Sequence, residues 1–170
     1  MTTESLWYEL RNAVYSKSFA HAEELLAANP ELLTVTNSIG ETVLHFLAVE
    51  NDIEGVAWLH ARGFSLNTRT RFGEPMIFEV AELGYKELLR WLSINGADFS
   101  AHDEEGRGIY ECLLDGLDQE LMEPSTEERA IAYWQRREET IRFLTENIPS
   151  ISMTSEQQML FSALRKRGGQ

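Results

Sequence analysis

The sequence predicts an all-α repeat solenoid of about five stacked helix-turn-helix units, with capped ends and an insertion in the fourth. Three observations lead there. Gly40, Gly73 and Gly106 stand 33 residues apart. Behind the first two, equivalent residues recur at the same interval: Ala48 and Ala81, Trp58 and Trp91, Leu59 and Leu92, Gly63 and Gly96. Within each period the apolar residues fall into two short runs at helical spacing. A unit of this size cannot bury its own apolar face, so neighbours must share one core.

The elements follow in order. Leu6, Leu10, Ala13 and Val14 repeat at helical spacing, and a second run over 20–28 carries Ala22, Leu25 and Leu26 before Asn29-Pro30 stops it. Counting back 33 from Leu59 and Gly63 reaches Leu26 and Pro30. Residues 4–36 are therefore in frame and read as an N-terminal cap pair; a terminal unit faces water on one side and is expected to be atypical. Repeats 37–69 and 70–102 come next, with helices expected over 43–49 and 55–61, then over 76–83 and 86–94. Gly63 and Gly96 sit just past the second helices, where glycine adopts a left-handed conformation without steric cost. Residues 67–73 and 100–106 are polar and turn-forming, as tight loops between units should be.

Gly106 opens the repeat with an insertion, 103–152, whose first helix carries Ile109, Tyr110, Leu113 and Leu114. Residues 115–124 then read as an acidic loop. Ser125 followed by Glu128 reads as a capping box that starts a long helix, with Ile131, Trp134, Ile141 and Leu144 as its apolar face. Ile141-Arg-Phe-Leu144 resembles Leu89-Arg-Trp-Leu92 displaced by 52, which is one period plus a 19-residue insertion. A last helix over 156–166, with Met159, Leu160, Ala163 and Leu164, ends in basic residues and Arg167-Gly-Gly, and forms a C-terminal cap over 153–170.

Composition narrows the function classes. Hydrophobic residues make up 43% of 170, enough for a continuous core along one domain, 1–170. The net charge of −13 repels nucleic acid and anionic membranes and attracts basic partners. The N-terminus shows no basic stretch followed by an apolar core, and no run approaches a membrane span, so a cytoplasmic protein is expected. Cys112, the single cysteine, lies in an apolar run and reads as a small buried hydrophobe.

Gly40-Glu-Thr-Val-Leu-His-Phe-Leu-Ala48 closely resembles the Gly-x-Thr-Pro-Leu-His-x-Ala-Ala opening of ankyrin repeats, and Leu92-Ser-Ile-Asn-Gly-Ala-Asp98 resembles their Leu-Leu-x-x-Gly-Ala-Asp close. The resemblance covers residues 37–114 well and the remainder weakly. It departs in the second unit, where Pro75 and Phe78 replace the threonine and histidine, and in the third, which keeps little beyond its glycine. It implies a non-catalytic protein-interaction module, with Thr42 and His45 as structural hydrogen-bonders. His21, His60 and His102 lie on different units without metal-ligand spacing, and no phosphate loop or nucleophile elbow is present, so no catalytic residue, metal or cofactor is expected.

The resemblance also implies an address for a partner. Inter-unit loops and the adjoining ends of first helices would line the hollow side: Ile39, Glu41, Glu50, Arg71, Phe72, Glu74, Glu82, Glu104, Glu105 and Asp115. Ile39 and Phe72 occupy one slot in successive units and either staple the loop or face a partner. Asp118 and Glu120 extend the surface into the acidic insertion. Acidity, size and analogy together suggest a free monomer that inhibits a basic protein, as an immunity protein neutralises a bacterial toxin; the alternative is a scaffold or adaptor without inhibitory role.

Overall fold

A computed structural model of the chain describes residues 2–168, with side chains through residue 166. Its described residues divide into two compact units that meet in sequence at Met76 and Ile77. The chain is all-α: the one extended pairing among the described residues is an isolated antiparallel bridge between Arg69 and Pro75.

In the first unit α1 (Thr3–Tyr15) pairs with α2 (Phe19–Ala28), and α3 (Val43–Val49) with α4 (Ile53–His60). Three of these four starts, all but that of α2, are held by a side chain at the cap. Thr2, Thr42 and Asp52 accept from the backbone N–H of Ser5, His45 and Gly55 at 3.2, 3.2 and 3.1 Å. Trp7, Leu10, Val14 and Ala22 close the cap pair, and Val43, Leu44, Leu47, Val56 and Leu59 fill the repeat behind it. α1 packs against α3 as well as α2. The Trp7 indole N–H donates to the Glu41 carbonyl at 3.1 Å, so one side chain both fills the core and ties the cap to the first inter-unit loop. Asn29-Pro30 does stop α2, but the proline also opens a 3₁₀ turn, Pro30–Leu33, which buries Leu32 completely. That turn is invisible to a pattern search for longer helices.

The second unit holds α5 (Met76–Glu82), α6 (Lys86–Ile94), α7 (Ile109–Leu114), α8 (Leu117–Met122), α9 (Glu128–Asn147) and α10 (Ser155–Gly168). α9 packs on α6 and α7, with Thr140, Ile141, Phe143 and Leu144 buried as Leu88, Leu89 and Leu92 are on α6. α10 lies against α7, α8 and α9. The tie between α9 and its neighbours is Arg137. Only 5% exposed, it donates to the Cys112 carbonyl and the Glu82 carboxylate at 2.6 Å each, and its guanidinium sits 4.4 Å from the Tyr133 ring centroid. Its Nε has no hydrogen-bond partner among the described residues.

Four expectations are corrected. The acidic stretch 115–124 contains a helix, α8, anchored by the fully buried Leu117. No capping box forms at Ser125: α9 starts at Glu128, and the Ser125 hydroxyl instead accepts from the Glu127 N–H at 3.2 Å. Ile131 is exposed, so the apolar face of α9 begins at Trp134. On α10 the buried stripe is Gln157, Phe161 and Leu164, while Met159 is 74% exposed. Gln157 takes a core position because its amide donates to Glu111 at 2.5 Å; a polar residue there disguises the stripe. The expected terminal glycine Gly169 lies outside the described residues.

Candidate interaction surface

Asn37-Ser-Ile-Gly-Glu41, Thr70-Arg-Phe-Gly-Glu74 and Asp103-Glu-Glu-Gly-Arg107 fold into the same small hairpin. In each, the first residue's N–H donates to the carbonyl of the fifth, at 2.9, 2.9 and 3.0 Å, and the glycine N–H donates back to the first carbonyl at 3.1, 3.0 and 3.2 Å. The glycines have φ of +90, +77 and +77, a left-handed conformation that other residues adopt only at a cost. A side-chain oxygen on the first residue then pins the third: Asn37, Thr70 and Asp103 accept from the N–H groups of Ile39, Phe72 and Glu105 at 3.1, 3.3 and 3.0 Å. These three pinning residues were missed in the sequence. They too are spaced by 33, but an amide, a hydroxyl and a carboxylate do the same work and look unrelated.

Within the first unit the two hairpins lie side by side. The Arg71 N–H donates to the Ile39 carbonyl at 3.0 Å and its Nη1 to the Ser38 carbonyl at 2.9 Å. A Cβ on Gly40 would come within 2.2 Å of the Arg71 nitrogen, so glycine is required for this approach as well as for the turn. Ile39 is 45% and Phe72 65% exposed, which removes the staple reading and leaves both side chains facing outward.

Residues 44–92, spanning α3 to α6, match the family model described as ankyrin repeats (many copies). That segment is built of ankyrin repeats. Ankyrin repeats indicate a protein-interaction module. Its motif histidine behaves structurally: His45 is fully buried, with Nδ1 3.2 Å from the Thr68 hydroxyl. His21 and His60 are likewise tied locally, to Glu9 at 3.1 Å and to the Phe64 carbonyl at 3.2 Å. Cys112 is buried, with its thiol 3.9 Å from an Asp103 carboxylate oxygen. No described helix is long and apolar enough to cross a membrane.

The carboxylates expected on the ankyrin loops divide. Glu50, Glu104, Glu105, Asp115 and Asp118 are exposed. Glu41 is not: it is 6% exposed and accepts from the Asn37 amide at 2.7 Å, so its charge serves the loop. Glu82 is half-buried in its pair with Arg137, Glu74 is half-buried, and Glu120 is half-buried with its carboxylate accepting the Ser125 N–H at 3.0 Å. The exposed charges beside Phe72 are instead Arg69 and Arg71, the latter with its guanidinium 4.6 Å from the Phe72 centroid. In the third hairpin, burial raises the pKa of Asp103. Hydrogen bonds from the Arg107 backbone and guanidinium (both 2.8 Å) and the Glu105 N–H outweigh that and hold it below the ordinary value.

Proposed function

We propose that this ankyrin-repeat protein is an inhibitor that neutralises a basic protein, in the manner of an immunity protein acting on a toxin. One observation carries the reading: residues 98–128 contain eleven acidic side chains and a single cation, Arg107, so this short segment holds −10 of the chain's −13. Most of these carboxylates are exposed on the third hairpin, on α8 and in the segment leading into α9. Such a field accelerates encounter with a cationic surface and rejects acidic competitors. The same polarity disfavours nucleic acid and anionic membranes as partners. The free protein is proposed to be a cytoplasmic monomer, where Cys112 stays reduced.

The test uses the immobilised full chain. The captured partner should be basic, lose its activity on binding, and associate at least about tenfold more slowly when Glu104, Glu105, Asp115 and Asp118 are replaced together by their amides. A partner that keeps full activity in the complex would establish the scaffold or adaptor reading, which the two exposed apolar hairpin tips favour. An acidic partner, or association indifferent to salt, would refute the inhibitor reading.

A further inference from the structure

We propose that the paired hairpins of the first unit dock an acidic segment of the partner that also carries an apolar side chain. This rests on the interaction-module reading and names what one part of that surface takes. The sign of the charge is the first observation. In a chain of net −13, the exposed charges at the second hairpin are Arg71 and the preceding Arg69, Glu74 is half-buried, and the Glu41 carboxylate of the first hairpin is folded inward onto Asn37.

Preorganisation is the second. The Arg71 backbone is fixed by its N–H on the Ile39 carbonyl, and its side chain by Nη1 on the Ser38 carbonyl and by the Phe72 ring beneath the guanidinium. Arg69 is held similarly, Nη1 donating to the Gly73 carbonyl at 2.7 Å. Ordering a long side chain before the partner arrives removes part of the entropy cost of binding. A planar guanidinium fixed in this way suits the two oxygens of a carboxylate.

Apolar area is the third. Ile39 and Phe72 are both exposed and sit on adjacent hairpins joined through Arg71, so they flank the cation. Arginine and aromatic side chains together are the composition of interface hot spots. A basic segment would meet like charge here. A nucleic acid would offer phosphates to the arginines but would bring a polyanion against the chain's overall charge, whereas a peptide brings one or two carboxylates.

The experiment pans a random dodecapeptide display library against the full chain and measures the enriched sequences as synthetic fluorescent peptides. Enrichment of Asp or Glu close to Leu, Ile, Phe or Trp is expected. Affinity should fall by at least about tenfold in Arg71→Glu and in Phe72→Ala, with Arg71→Lys retaining only part of it. Unchanged circular dichroism spectra and melting of these surface variants keep the comparison interpretable. Basic enriched peptides, or acidic ones bound equally by Arg71→Glu, overturn the proposal, as does a single-stranded oligonucleotide that competes fully. Peptides indifferent to Arg71→Glu but lost when the carboxylates of 98–128 are neutralised sink this inference alone. A library yielding no binder at all sinks the module reading with it.

Discussion

The two units stitch equivalent parts together with different chemistry. In the first, the hairpins are pinned by neutral groups, the Asn37 amide and the Thr70 hydroxyl, and the arginine that joins them, Arg71, stands in water. In the second, the hairpin is pinned by the Asp103 carboxylate with Arg107 closed over it, and the joining arginine, Arg137, is buried on Glu82 and the Cys112 carbonyl. Arg71 and Arg137 make the same contacts, a backbone carbonyl and an aromatic face, at different depths. Depth decides their roles. In water such contacts contribute little to stability and leave the cation available to a partner; inside, the same contacts become a structural requirement, because a buried charge left alone is costly.

Six substitutions sharpen or break that contrast. The largest effect should come from Arg137→Ala, which strands the Glu82 carboxylate and the Cys112 carbonyl and leaves a cavity. A loss of about 3 kcal/mol is expected in denaturant unfolding, against less than about 0.5 kcal/mol for Arg71→Ala; equal losses would erase the distinction. Next comes Gly40→Ala, at about 3 kcal/mol or slightly less, because the new methyl meets the Arg71 backbone at a left-handed position. Gly106→Ala, where a Cβ meets nothing within 4 Å, should cost about 1 kcal/mol.

Asp103→Asn tests the ionic pin. The folded carboxylate titrates below its ordinary value, so its contribution is present above that value and is lost as pH falls through the folded one. The protection of the Glu105 and Arg107 amides against hydrogen exchange, relative to their intrinsic rates, should therefore fall below about pH 4 in the parent chain. In Asp103→Asn, which retains the amide pin that Asn37 already provides, that acid response should vanish. The exchange of the Ile39 amide, pinned by a neutral group, should not respond to Asp103 at either pH. The smallest stability effect belongs to Phe72→Ala, within about 0.5 kcal/mol by thermal melting, despite its tenfold or larger effect on peptide affinity.

Much of this was legible because backbone requirements write themselves as glycine. Gly40, Gly73 and Gly106 mark the hairpins, Gly63 and Gly96 the helix ends, and all five have positive φ. The reversals between paired helices were less readable, since Lys17 and Asn51 do at φ of 62 and 58 what Gly84 and Gly116 do at 74 and 75. The insertion failed for another reason. The six residues of α8 carry Asp118 and Glu120 and look like a solvated loop; burial of Leu117, a tertiary effect, makes them a helix. Ser125 matched the capping pattern, but its hydroxyl is engaged one residue too early to cap anything. At the surface, the outward turn of Ile39 and Phe72 was undecidable from pattern, and the inward turn of Glu41 depends on an Asn37 partner that the repeat motif does not announce.

Trp7 is buried in the first unit and Trp134 in the second, whereas Trp58 and Trp91, of the same two units, are half-buried. The Trp7 indole N–H donates to the Glu41 carbonyl with Tyr8 and Phe46 edge-on to its ring, while Trp134 sits beside Tyr133 and 5.8 Å from the Arg137 cation. Variants retaining one or the other would let a single fluorescence melt distinguish which half gives way first.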